Sequence, residues 1–469
     1  LEFLEVGVLL LEKLKRDVVI VGAGVAGLYS ALLLGSMGWR VVLIESKARS
    51  EIGNKVCGDA IGTHHFRELN LDVPPSVVDH RYSGVVVYTH DLNYSVTVPG
   101  EGVSVNRLKF GQWLLKQALD AGVELLDRYS VIEVSVVDTG VKSIRAKRVG
   151  GGVVEVEARA YIDASGAKPV IRSKIPLEWP IAERPYTTDF NLAYREVIEL
   201  KEPIERINTN YASIILDTRV APGGYWWVFP KQRDGLVVNV GLGVVWSSGN
   251  NPRRNFEEYI KSKFPGRVLH AGGGIVPTRR PLPTLVWRNV IVVGDAAYTV
   301  NPVHGGGIGS SMLSAAIASK HLNSALEAGN ISEESLWSVN IDYMRAYGAK
   351  QARLDVLRMF MQKLSSEDYE WIVKNRIVSG DNVYELGTRG DLAEQVAHTL
   401  SAFIKLLGKP SLLSQLRVVR SYMKKISELY TDHYPATPRE LGDWVIRVNR
   451  LIEEYTRVIS YERGVLVKW

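Results

Sequence analysis

Residues 16–30, RDVVIVGAGVAGLYS, leave this chain few ways to fold. Val18 to Val21 form a β-branched apolar run that reads as a buried parallel strand. The run stops at Gly22, Gly24 and Gly27 before a helical pattern begins at Leu28. In such a strand–turn–helix unit each glycine has a separate task. Gly22 makes the tight turn, Gly24 admits a pyrophosphate close to the backbone, Gly27 lets the helix pack on the strand, and the helix N-terminus favours phosphate charge. A second apolar strand, Val41 to Ile44, ends in Glu45, placed to accept a hydrogen bond from an adenosine ribose. Strand, helix, second strand and terminal acid in register predict a dinucleotide-binding domain. A plain glycine-rich turn is the alternative they displace.

The 469 residues, 46% of them hydrophobic, suffice for two or three domains around a large core. No apolar run approaches the roughly 18 residues that span a bilayer, and the short apolar run from Val6 to Leu11 is followed by Glu12. Residues 1–15 are read as a leader without function, and the chain as cytoplasmic. A single cysteine, Cys57, excludes a disulfide within the chain and any cysteine-built metal centre, so redox work falls to a bound cofactor. No metal site and no nucleic-acid partner are expected. The net charge of +6 suits anionic substrates or anionic lipid, and equally suits many ordinary enzymes.

After Glu45 comes the loop SKARSEIGNKVCGDAIGTHHF, with Cys57 beside Lys55, and Thr63 as cap of a short helix through Leu69. Alternation over Gly84 to Tyr88 and Tyr94 to Val98 predicts a hairpin, and Arg107 to Ala121 a helix. Val131 to Val137, Ser143 to Val149 and Val153 to Ala158 predict an antiparallel meander, which leads into the turn DASG at Asp163. From Ile175 to about Gly274 the strands become aromatic and predict a second, β-rich domain. In GGYWWVFP, Tyr225, Trp227 and Phe229 share one face and Trp226 and Val228 the other. The first face is either ordinary packing or a wall of an apolar pocket. At NVIVVGDAAYTVNPVHGGGIGSSM the first domain returns: a buried strand, then Gly294 and Asp295, then Gly305 to Gly307 before another helix. In the helical remainder, Leu412, Leu416, Val419, Met423 and Ile426 share a face flanked by Arg417, Arg420 and Lys424, a surface helix or one that docks on anionic lipid.

The fingerprint, DASG and the GD at Gly294–Asp295 resemble the FAD-binding fold of p-hydroxybenzoate hydroxylase relatives. Within that superfamily KVCGDAIG, PGGYWWVFPK, VNVGLGV, VPTRRPL and GDAAYTVNPVHGGGIGSSM are similar, in this order, to the geranylgeranyl reductases of archaea, of the digeranylgeranylglycerophospholipid type. The resemblance implies an α/β fold: a discontinuous FAD-binding Rossmann-like domain (16–80, 101–174, 275–330), an inserted antiparallel β-rich substrate domain (81–100, 175–274) and a helical C-terminal region (331–469). It implies saturation of isoprenoid C=C bonds with reduced FAD. Gly22, Ala23, Gly24, Ala26, Gly27, Glu45 and Ser46 would hold the ADP half, Arg107 the phosphates, and Asp295 the ribityl chain. Gly58, Asp59, Gly166, Gly294, Gly305, Gly306, Gly307 and Ile308 would surround the flavin. Tyr225, Trp227, Phe229 and Pro230 would line the lipid cavity, with Arg279 or Arg280 meeting a head-group phosphate or serving as structural ion pairs.

The chemistry itself adds a requirement. An isolated trisubstituted alkene is not polarised, so hydride addition needs a proton at the less substituted carbon, inside a dry apolar tunnel. Cys57, His304 and an ordered water are the candidate donors. Partners implied are a prenyl lipid or prenyl diphosphate and an electron donor, whether reduced nicotinamide, a ferredoxin or another carrier. The reading is of a monomer, free in the cytoplasm or peripheral at the inner face of the cell membrane. Rival readings are a flavin monooxygenase and a non-catalytic prenyl-lipid carrier. A flavin halogenase is disfavoured because its G-W-x-W-x-I-P motif would put tryptophan at Tyr225 and isoleucine at Phe229.

Overall fold

In the computed structural model, residues 11–468 are described except 205–206, 248, 382 and 385–408. Two eight-stranded sheets organise them. The first is parallel at its centre, in the order β15 (Val286–Trp287), β16 (Val290–Val292), β9 (Val153–Asp163), β1 (Leu11–Val21), β2 (Val41–Glu45), β6 (Glu124–Asp127). Its central strands read as continuous apolar runs because both faces are covered: Val18, Val19, Ile20, Val42 and Leu43 are all inaccessible to solvent. The expected meander is present as β7 (Tyr129–Val137) and β8 (Gly140–Arg148), which pair antiparallel and attach to β9. One expectation is corrected here. Residues 11–15 are not a leader but the start of β1, paired in register with β9 from Leu11 opposite Val153.

The second sheet runs β14 (Gly266–Pro277), β10 (Phe190–Leu200), β13 (Val237–Val245), β12 (Tyr225–Pro230), β11 (Ala212–Leu216), β4 (Val78–Thr89), β5 (Ser95–Val105), β3 (Ala60–Gly62). The hairpin expected near residues 84–98 is β4–β5, longer than its alternating core. It joins the aromatic strands through a parallel pairing of β4 with β11. β12 separates two apolar clusters, as period two requires. Trp226 and Val228 pack with Phe256 and Ile260 on one side, and Trp227 and Phe229 with Tyr82 and Ala212 on the other.

The helix Ile308–Glu327 lies beside Val25–Ser36 and begins the helical third of the chain. The amphipathic tail helix Pro410–Thr431 turns its apolar face inward. Leu412, Val419, Met423 and Ile426 are buried, and the helix packs on Ala349–Met361. Its apolar stripe is spent on the protein, so the lipid-docking reading of that face is overturned. Thr63 precedes the helix His64–Glu68, yet its hydroxyl donates to the Glu101 carbonyl (3.3 Å) and caps nothing. Among the described residues no helix is long and apolar enough to cross a membrane.

Candidate active site

The glycine turn behaves as its spacing requires. Gly22 has φ +99°, and a Cβ there would lie 2.6 Å from the Ala164 carbonyl oxygen, while one at Gly27 would strike the Gly22 carbonyl oxygen at 1.9 Å. Gly24 differs from both: a Cβ there would meet nothing within 4 Å. It lines an open cleft together with Ala23, Glu45, Lys47, Lys55 and Arg107. Glu45 Oε2 accepts from the Ala23 amide (2.7 Å) and Oε1 from Lys47 N (2.8 Å) and Ser46 Oγ (3.1 Å), which fixes the carboxylate at the cleft. Arg107, at the start of helix Arg107–Asp120, points a buried Nε at no partner among the described residues. An open glycine cradle beside an unpartnered guanidinium is the donor set a dinucleotide diphosphate needs, so FAD fits these residues.

At the same N-terminal end of the helix Val25–Ser36, Gly294 packs on Ala26 (its Cβ would lie 2.9 Å from the Ala26 Cβ), and Asp295 Oδ2 accepts from Lys55 at 3.0 Å. Asp163 holds its turn by accepting from the amides of Ile171 (2.9 Å) and Arg172 (2.8 Å), leaving Gly166 with φ +92° and open space beside it. In the glycine loop, Gly305 N donates to the Asn301 carbonyl (3.0 Å) and Gly306 N to His304 Nδ1 (3.1 Å). Those two amides are thus used inside the loop. The amide of Gly307, which precedes the helix beginning at Ile308, makes no such turn bond. The bond to Nδ1 places the imidazole proton of His304 on Nε2. Desolvation by the surrounding loop, with Lys350 adding positive charge, pulls His304 down to about 4, although the residue is exposed at the surface. It is neutral near pH 7 and holds no imidazolium proton to give.

The aromatic face completes the site. Tyr225, Trp227 and Phe229 stand in a row with ring centroids 6.1 Å and 5.9 Å apart. Tyr225 donates its hydroxyl to the His304 carbonyl (2.6 Å), and burial drives its pKa well up, so it remains a phenol. The cysteine loop is a strap laid over this face. A Cβ at Gly58 would meet Phe229 at 3.0 Å, and one at Gly272 would meet Val56 at 2.6 Å. Two donors of the sheet hold the Cys57 carbonyl, Asn239 Nδ2 (2.8 Å) and Arg195 Nε (3.2 Å), and the Asp59 amide donates to Cys57 Sγ (3.4 Å). Strap, aromatic wall, glycine loop and nucleotide cleft are therefore tied into one site by Lys55–Asp295, Tyr225–His304 and Asn239–Cys57.

Several expected residues land elsewhere. Arg279 and Arg280 do not reach a cavity mouth. They are 1% and 7% exposed and pair with Glu183 (2.8 and 3.3 Å), Asp189 (3.5 Å) and Asp355 (3.5 Å), with Arg358 as the cluster's third cation and the second on Asp355, at 2.7 Å. The structural alternative is the observed one. Pro230 falls on the face of β12 opposite the aromatic row, its carbonyl accepting from Tyr82 (2.6 Å). The Asp59 side chain meets Lys231 (2.9 Å) and Asn239 (3.1 Å) through Oδ2. Sequence reasoning passed over Arg195, Lys231 and Asn239. The available signal was polarity out of place: an asparagine inside VNVGLGV and an arginine inside NLAYREV.

The geranylgeranyl reductase catalytic domain family matches residues 189–276, and the FAD dependent oxidoreductase family residues 17–179. The chain is 39% identical over 457 residues, 96% of its length and all of the relative's, to digeranylgeranylglycerophospholipid reductase of Sulfolobus acidocaldarius. It is 27% identical to the enzyme of that name from Methanothrix thermoacetophila, over 81% of this chain and 95% of the relative. The fold is that of a geranylgeranyl bacteriochlorophyll reductase-like protein from Thermoplasma acidophilum, with a TM-score of 0.70 at 21% identity, covering 87% of this chain and 100% of that one. An open dinucleotide cradle that ends at an aromatic wall under a cysteine strap, in a chain 39% identical over 96% of its length to the Sulfolobus acidocaldarius enzyme, makes this protein an FAD-dependent oxidoreductase of the digeranylgeranylglycerophospholipid reductase family.

Proposed function

We propose that the protein saturates the isoprenoid double bonds of geranylgeranyl chains carried by ether-lipid precursors or by a diphosphate. One observation supports this reading most: the three-ring wall with the Cys57 strap lying on it, joined to the nucleotide cleft by Lys55 and Asp295. Reduced FAD, when bound, supplies a hydride at N5. The chain's own residues do the rest. Gly24 admits the diphosphate, Arg107 pairs with it, and Glu45 accepts from the ribose. Asp295 keeps Oδ1 for a ribityl hydroxyl while Lys55 holds Oδ2. Tyr225, Trp227 and Phe229 exclude water and orient an apolar chain, which is what an unpolarised alkene needs. With His304 neutral, Cys57 is the stronger candidate for the group next to the alkene.

The electron donor in this reading is a reduced nicotinamide, a ferredoxin or another carrier, and the protein works as a cytoplasmic monomer at the inner membrane face. Val268 and Leu269, exposed on the edge strand β14, support that placement. The test is anaerobic: dithionite-reduced holoenzyme mixed with geranylgeranyl diphosphate should reoxidise its flavin, whereas a flavin that stays reduced until oxygen enters would point to a monooxygenase. Cys57→Ala should lose most of this reoxidation at unchanged FAD content. Full turnover in that variant would remove Cys57 from the chemistry.

A further inference from the structure

Each saturation consumes one proton, yet the site described above shows no evident way to replace it. The cysteine strap carries an unusual residue for that purpose. Asp59 sits in the left-handed region at φ 66° and is 3% exposed, with Oδ2 engaged by Lys231 and Asn239 and Oδ1 buried without a donor among the described residues. Lys231 stands at the end of the aromatic strand, donates a hydrogen bond to Asp59 Oδ2 (2.9 Å) and forms an ion pair with Asp79 Oδ2 at the same distance but outside hydrogen-bond geometry, so that a turn of the ammonium group is what joins the two carboxylates. Side-chain exposure falls along this line from 20% at Asp79 through 12% at Lys231 to 4% at Asp59. The orientation of Asn239 is fixed by chemistry. The Trp227 indole can only donate to it (3.0 Å), while the Cys57 carbonyl and the Asp59 carboxylate can only accept from it.

We propose that Asp79, Lys231 and Asp59 form a proton relay from solvent to the reacting alkene, with Asn239 as the positioning residue that holds its inner end beside Cys57. Atoms and electrons balance. A Lys231 N–H bond breaks as an O–H bond forms on Asp59, that O–H breaks as the proton reaches the alkene carbon directly or through the Cys57 thiol, and Asp79 returns a proton from solvent to Lys231. The hydride and both electrons come from the reduced flavin of the reading above, on which this proposal rests. The groups facing the relay are Tyr82 from β4 and Ser104 from β5, with Arg195 from β10 and, through it, His270 from β14. Arg195 is the second cation beside the two acids. A guanidinium does not give up its proton, whereas an ammonium does, so the exchangeable member is Lys231.

Two readouts test this with FAD-loaded protein. In anaerobic reoxidation by geranylgeranyl diphosphate, Asp59→Asn should slow the reaction by about a hundredfold, the usual worth of a general acid. Asp79→Asn, the mildest change to the fold, should slow it most at alkaline pH, enlarge the solvent isotope effect of a run in D2O, and be rescued by a small weak acid. Wild-type rates, pH profile and isotope effect in Asp79→Asn at equal FAD content would overturn the relay. The second readout needs no prenyl substrate, because Cys57 is the chain's one thiol. The pH dependence of its alkylation should shift upward in Lys231→Met, and superimposable profiles would count against the proposal. Should the wild type fail to reoxidise with prenyl substrate at all, the reductase reading falls, and the alkylation profiles alone decide whether the trio is coupled to the site.

Discussion

Arg279 and Arg107 are the same residue type in opposite circumstances. Arg279 is 1% exposed and meets Glu183 and Asp189, within a cluster of three arginines and three acids that ties together residues 183, 189, 279, 280, 355 and 358. Arg107 lines an open cleft with a buried Nε that no described residue answers. The first arginine is answered within the fold, while the second keeps an open Nε of the kind the proposed diphosphate contact needs. Partner count, more than residue type or neighbouring motif, is what distinguishes these two arginines.

The comparison breaks or sharpens in a definite order. Arg279→Met removes one of the two arginines from each of the buried carboxylates of Glu183 and Asp189 and should cost about 3 kcal/mol of stability, read as a lowered melting temperature of the FAD-free protein. An unchanged melt would place the cluster's role elsewhere. Arg107→Met should leave that melt alone and weaken FAD binding by roughly ten- to a hundredfold, the worth of about 1.5–3 kcal/mol for a hydrogen bond to a charged group, measured by flavin fluorescence titration. The glycines repeat the contrast on a smaller scale. Gly27→Ala pushes a Cβ into backbone and should destabilise by about 1–3 kcal/mol, whereas Gly24→Ala meets nothing in the protein and should reduce only FAD affinity.

Acid is the mildest probe. Burial raises Glu183 and Asp355, but their arginines win and hold both below the usual carboxylate range. Their contribution is present above the unfolded value near 4 and is lost as pH falls through the lower folded values. His304, held down to about 4, and His65, held down to about 3 mainly by burial, are neutral in the fold, so stability declines as pH drops below the ordinary histidine value near 6.5. His304→Asn should flatten the upper part of an acid-unfolding curve and leave the lower part, where the carboxylates act, in place.

What the sequence made legible follows the range of each interaction. The nucleotide fingerprint is local, each glycine doing its work within a turn, and the structure has every glycine in the geometry its spacing predicts. The alternation of YWWVF likewise needs no knowledge of partners to assign faces, and the two faces do enter separate clusters. The ion cluster was not legible as such, since its members are scattered from Glu183 to Arg358 and VPTRRPL alone looks equally suited to a phosphate. The parallel pairing of β4 with β11 joins segments more than a hundred residues apart. Asn239 and Arg195 showed only as polarity out of place, and their roles and that of Lys231 were not legible for the same reason, because they depend on a strap that arrives from residues 55–59. The tail helix showed its apolar stripe, but a stripe does not name the surface that covers it.

The central claim is that this site passes two hydrogens to a prenyl chain for each flavin reoxidised. The most direct measurement follows flavin absorbance and product mass together in a single anaerobic turnover with a geranylgeranyl ether lipid. One flavin reoxidised for each gain of two hydrogens is the predicted result. Lipid returned unchanged while the flavin stays reduced, or a product heavier by an oxygen atom once air is admitted, would contradict it.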